Sequence, residues 1–152
     1  MTEFELHKSI VLYLKLHHPE VIFRTDYAAG LKMTPRQARK HATLQKSRGF
    51  PDLFICEPRA GFHGLFIELK KEGTKLRTKD GYWVKNLHIN EQALVLHNLG
   101  SRGYMATFGV GFEHTRAIIE EYLKLPKPNY SPPDYDIDLP KSTTEDDDGL
   151  TF

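Results

Sequence analysis

The chain has 152 residues, enough for one ordinary domain, and its 39% apolar content permits a real core. A single cysteine, Cys56, excludes an internal disulfide and any multi-cysteine zinc cluster, and suits a reducing, cytoplasmic setting. The net charge of +1 conceals an asymmetry: residues 1–125 hold 19 Lys/Arg against 13 Asp/Glu, whereas residues 126–152 hold 2 against 7.

No internal repeat is evident. The opening "MTEFELHKSI" is amphipathic and acidic, unlike a leader with a basic region followed by an apolar run. No apolar stretch approaches the roughly 20 residues needed to span a bilayer, so no membrane partner is expected.

The first element, "EFELHKSIVLYLKLHHP", puts Leu6, Ile10, Tyr13, Leu14 and His17 at helical spacing, and Pro19 ends it. "VIFRTDY" reads as a short strand. Residues 28–49 lack clear periodicity and read as a basic loop, with a helical turn or two from Thr34-Pro35. "DLFICE" and "GLFIELK" read as strands joined by the turn-prone "PRAGFHG". A polar excursion, "GTKLRTKDGYWVKNLH", turns at Gly73 and at Asp80-Gly81. Asn90 is the expected cap of the next helix, with Ala93, Leu96 and Leu99 inward, and Gly100 or Gly103 stops it. "YMATFGV" is a further strand, and "FEHTRAIIEEYLKL" a last helix ended by Pro126. This order predicts an α/β fold with a central mixed sheet flanked by helices over 1–125. Residues 126–152 hold five of the nine prolines plus "STTEDDD", the composition of a flexible acidic tail.

The strands carry charge where a core should not. Glu68 and Lys70 share one strand face, with Leu69 opposite. A hairpin turning through residues 58–64 brings Asp52 beside them at one end of the sheet. Two neighbouring buried carboxylates repel, and a divalent cation removes that conflict. A nearby ammonium can then face an anionic phosphate. Taken alone, an E-x-K triplet is more often a solvated ion pair, and Pro-Asp more often a turn. Their order and spacing together point to a metal site for a phosphodiester.

"GFPD…IELK" resembles the PD-(D/E)-x-K nuclease superfamily, with its restriction-endonuclease-like core. The surroundings are similar to its virus-type replication-repair nuclease (VRR-NUC) domain over residues 3 to about 123, in particular to small stand-alone phage members. The likeness is carried by Glu3 ahead of Leu6 and Ile10, by Gly49-Phe50-Pro51-Asp52, by Glu68-Leu69-Lys70, and by Gln92 before "RGYMATFG". Long basic insertions at 28–48 and 74–90, and the acidic tail, depart from the pattern. The resemblance implies that Asp52, Glu68 and the Leu69 carbonyl bind Mg2+ or Mn2+. Lys70 would position or activate the attacking water. Glu3 would reach in directly or through water, with Glu5 as rival, and Gln92 would bind phosphate or orient Lys70. The implied activity is divalent-metal-dependent DNA cleavage in phage or bacterial replication, recombination or repair, inside the bacterial host cell if the origin is phage. Branched, Holliday-junction-like DNA is the expected substrate and a homodimer the expected assembly. Three other readings stay open at this level: a non-catalytic nucleic-acid-binding module on the same scaffold, a generic interaction protein whose charged strands are incidental, and a restriction-type endonuclease.

Lys32, Arg36, Arg39, Lys40, Lys46 and Arg48 precede the first strand of the motif, and Lys71, Lys75 and Arg77 follow the second. Such residues hold DNA through its phosphates without reading bases. Trp83 is read either as a base-stacking ring or as buried in its loop. The eight histidines are scattered without a metal-binding motif. Cys56 is read as a buried structural thiol. The end "EDDDGLTF" loosely resembles the acidic tips of single-stranded-DNA-binding proteins, which dock on replication partners.

Overall fold

The protein, described from a computed structural model, is defined over residues 1–26, 32–46 and 48–130. Most of the expected tail, 131–152 with "EDDDGLTF", lies outside the described residues, as do 27–31 and 47 within the basic loop. The elements are α1 (Glu3–His17), β1 (Phe23–Thr25), α2 (Pro35–Thr43), β2 (Leu53–Ile55), β3 (Leu65–Lys70), α3 (Leu87–Gly100), β4 (Met105–Val110) and α4 (Gly111–Leu123).

The four strands lie in the order β1-β2-β3-β4. The first three pair antiparallel, and β3 pairs parallel with β4, so the sheet is mixed as the sequence predicts. A parallel pair needs a long crossover, which residues 71–104 supply through α3. All six residues of β3 are buried. Leu65, Ile67 and Leu69 meet Leu53 and Ile55 of β2, Leu6, Ile10 and Leu14 of α1, and Ile119 and Tyr122 of α4. Each such fully buried side chain stabilises the fold by about 1.5–3 kcal/mol. A second, smaller cluster of Ile89, Leu96 and Phe108 lies under α3, with Leu76 and Val84 packed on it. Phe108 is the β4 partner of Glu68, so Glu68 faces α3.

Local chemistry fixes the helix starts. Thr2 and Glu5 form a reciprocal capping box on α1, and Thr34 and Gln37 form one on α2, where Pro35 opens the helix. The cap of α3 is Asn86, whose side chain accepts from the Ile89 N–H at 3.1 Å, not the expected Asn90. Gln92 therefore stands in the second turn instead of opening the helix. Leu96 is buried as expected, and Ala93 and Leu99 are half-buried.

Helix α1 runs to His17, as its spacing predicts, and the cap residue His18 turns its ring to Glu120 of α4 at 2.6 Å, with the Tyr13 hydroxyl on the same carboxylate oxygen. Two other expectations are corrected. Cys56 is exposed, because β2 ends at Ile55 and its thiol falls beyond the sheet. Trp83 is neither free nor buried: the Arg77 guanidinium lies 3.6 Å from its ring centre and Phe108 leans against it, leaving it 37% exposed.

Candidate metal centre and nucleic-acid face

Antiparallel pairing of β2 with β3 sets Leu53 opposite Ile67, so the start of β2 and the end of β3 meet at one end of the sheet. Asp52 is thereby held against β3, and its Oδ2 accepts the Leu69 N–H at 2.8 Å. Glu68, only 2% exposed, accepts at Oε1 from Lys70 Nζ at 2.8 Å and from the Gln92 side-chain amide. Gln92 in turn lies 3.1 Å from His88 Nε2, one helical turn earlier. The sheet thus gives Asp52, Glu68 and Lys70, α3 gives Gln92, and the first turns of α1 give Glu3 from the other side.

Glu3 and Glu5 have separate fates. Glu5 Oε2 accepts the Thr2 N–H at 2.6 Å and is committed to the cap. Glu3 offers a carboxylate oxygen to the same point as Asp52. The residue missed in sequence is His7. Its Nε2 lies 3.6 Å from Asp52 Oδ2, and the donor atoms of Glu3, His7 and Asp52 lie within 4.8 Å of one another. Its i, i+4 spacing from Glu3 was the available signal.

The electrostatics are those of a centre short of positive charge. Burial raises the Asp52 carboxyl above its ordinary range, against the opposing pull of His7, the Leu69 N–H and Lys70. Burial also raises Glu68, and the Asp52 charge pushes it further in the same direction; the Lys70 ammonium only partly offsets this. Glu68 Oε2, Gln92 Oε1 and His7 Nε2 are buried without a hydrogen-bond partner among the described residues. Buried polar atoms are rarely left so. Carboxylate oxygens of this kind suit a hard divalent cation, so the donor set fits the ion that the sequence implies.

A cleft of about 470 Å³ opens beside this centre, lined by Glu3, Lys70, Lys71, Thr74, Asn86 and His88 among others. The second basic excursion begins and ends at its rim, at Lys71 and Asn86. Residues 26–52 leave and return at the site, since the Asp26 N–H donates to the Asp52 carbonyl at 2.9 Å. His41 of α2 lies 3.9 Å from Asp26 Oδ1. Lys32, Arg36, Arg39, Lys40, Lys46 and Arg48 are all exposed. Helix α2 buries no residue, and Arg36, Arg39 and Lys40 fall on one face at i, i+3 and i+4. The second excursion leaves β3 at Lys71 and returns at Asn86, with Arg77 and Trp83 bridged and a turn at Gly81. Lys71, Lys75 and Arg77 are all exposed. Tyr82, 74% exposed, is the open aromatic ring of this hairpin.

Gly49 ties the motif to α3. Its φ is +85°, and an added Cβ would lie 3.2 Å from the Gln92 backbone N. Replacing Gly49 by alanine adds both backbone strain and this close contact, at about 1–2 kcal/mol for the left-handed conformation alone. A melting temperature lowered by roughly 3 °C or more is the expected result. An unchanged melting curve would show that the loop readily moves away from α3.

No protein-family model and no curated protein matches the chain. A solved structure described as a "VRR_NUC domain protein" matches with a TM-score of 0.55 and 24% sequence identity, over 84% of this chain and 92% of that one. The chain therefore has the VRR-NUC fold, as the resemblance in its motifs implied.

Proposed function

We propose that this VRR-NUC fold carries a divalent-metal-dependent nuclease that hydrolyses phosphodiester bonds in DNA. The observation that carries the reading is the pair of buried carboxylates, Asp52 and Glu68, raised by burial and set with Lys70 at the edge of a basic-rimmed cleft. Scaffolding does not need two such groups side by side, and a cation between them resolves their repulsion. Asp52, Glu68 and Glu3 are the residues that would hold Mg2+ or Mn2+, with the Leu69 backbone adjacent. When bound, such an ion supplies Lewis acidity, a lowered water pKa and orientation of the phosphate.

The chain's own groups account for the rest. Lys70 Nζ, fixed by Glu68, is a donor that can hold a water in line with the scissile phosphorus. Gln92 keeps Glu68 from turning away. Lys71 and the cations of α2 bind flanking phosphates, which fixes the register of the strand without reading its bases. This favours substrates chosen by shape over a restriction-type specificity. The described residues of one chain offer one such centre, so two cuts on a branched junction call for two copies.

The test incubates the protein with labelled nicked, flapped, four-way and plain duplex DNA, with Mg2+, Mn2+ or chelator. Cleavage that requires the metal and prefers branched forms is expected. Tight binding without cutting under either metal would replace this reading with the non-catalytic module.

A further inference from the structure

The opening turns of α1 present two potential donors on one face, Glu3 and His7, four residues apart. His7 is 6% exposed, and its Nε2 finds no hydrogen-bond partner among the described residues. Its 3.6 Å approach to Asp52 Oδ2 is too long for a hydrogen bond. An imidazole nitrogen buried against a carboxylate, yet bonded to nothing, calls for a third group between them. The Glu3 carboxylate completes a triangle of donors within 4.8 Å. Neighbouring ligands in an octahedral shell of about 2.1 Å radius stand about 3 Å apart, so a modest contraction closes the set. Glu3 is exposed and has room to make it.

We propose that His7 contributes its Nε2 to the divalent centre shared with Asp52 and Glu3, and so biases this centre toward manganese(II) over magnesium. The inference rests on the nuclease reading for the existence of the centre and adds a donor to it. Magnesium selects oxygen ligands and gives up water reluctantly. An imidazole suits first-row transition ions, so one nitrogen among oxygens shifts the preference along that series. A second centre distinct from that of Glu68 is not required, because Asp52 belongs to both donor sets.

Pulsed electron paramagnetic resonance of the full chain loaded with manganese(II) reads the bond directly. Nitrogen hyperfine coupling is expected in the wild type, and it should change to the 15N pattern when histidine is 15N-labelled. Titration by calorimetry should give manganese binding at least about tenfold tighter than magnesium. His7→Gln should remove the nitrogen coupling and weaken manganese about tenfold, with magnesium changed less than about threefold. A bound manganese without histidine coupling in the wild type overturns the proposal while leaving the nuclease reading standing. Equal weakening of both ions in His7→Gln also overturns it, since that is what a purely structural histidine would do. No binding of either ion by the wild type removes the metal centre itself, and both readings with it. The labelled wild type decides the question even if the variant does not fold.

Discussion

Changing Lys70 to methionine is expected to lower metal-dependent cleavage by about 10²–10⁴-fold, the span of a positioned proton-transfer or water-holding group. Methionine keeps an unbranched stem of similar reach in the buried site, so packing is largely preserved. What disappears is the ammonium bonded to Glu68 Oε1 at 2.8 Å. If Lys70 acts on the attacking water, kcat falls, while the affinity for uncut DNA measured in calcium changes little. If Lys70 only binds phosphate, affinity falls with kcat nearly unchanged. Lys70→Arg should not rescue, because a rigid planar fork cannot put one donor where a flexible stem does. Cleavage within threefold of wild type in Lys70→Met would remove Lys70 from the chemistry.

The second large effect is on stability and has the opposite sign. Glu68→Gln is expected to raise the melting temperature of the metal-free protein at pH 8. The amide oxygen can keep the bonds from Lys70 and Gln92, and the new NH2 replaces the partnerless Oε2. Burial and the Asp52 charge raise the folded-state carboxyl above its ordinary value, and that direction sets the sign. Below the ordinary carboxylate range Glu68 is protonated whether folded or unfolded, and wild type and variant differ little. As pH rises from there through the raised folded value, wild type progressively loses stability and the variant does not. Each tenfold weakening of the acid on folding is worth about 1.4 kcal/mol, which corresponds to roughly 3 °C or more for a chain of this size. Saturating divalent cation should reverse the ranking at pH 8, stabilising wild type by about 2.7 kcal/mol at a hundredfold excess over Kd and the variant hardly at all. A variant that melts lower than wild type at pH 8 without metal would mean that the charged Glu68–Lys70 pair is itself stabilising.

The strands and their charges were legible because a period of two is local, and order along the chain is enough to join Asp52 to Glu68 through a hairpin. Gln92 is legible by resemblance, but the start of its helix is not. Asn86 and Asn90 are both eligible caps, and Asn86 prevails by accepting the Ile89 N–H. Thr2-x-x-Glu5 is a capping-box signature that would have separated Glu5 from Glu3 without coordinates. His7 was hidden by its neighbour: beside Leu6 it reads as an ordinary boundary residue, and only the turn back to Glu3 marks it. The groupings of Arg77 with Trp83, and of Tyr13 and His18 with Glu120, depend on how elements fold back on each other. No periodicity reports that.

The attachment of α1 at both ends has a consequence for how the protein comes apart. Toward its C-terminus the helix is moored to Glu120, whose carboxyl is held below its ordinary range by the bonds from Tyr13 and His18. That mooring is intact above the usual carboxylate range and slips as pH falls through the depressed value. Toward its N-terminus the helix is closed by Glu5, whose carboxyl is likewise held below its ordinary range, by the bonds to the Thr2 backbone and hydroxyl. Proton uptake therefore releases both ends of a single helix while Ile10 and Leu14 stay packed on the core. Amide exchange along α1 should show fraying advance inward from the Glu3 and His17 ends together as pH falls.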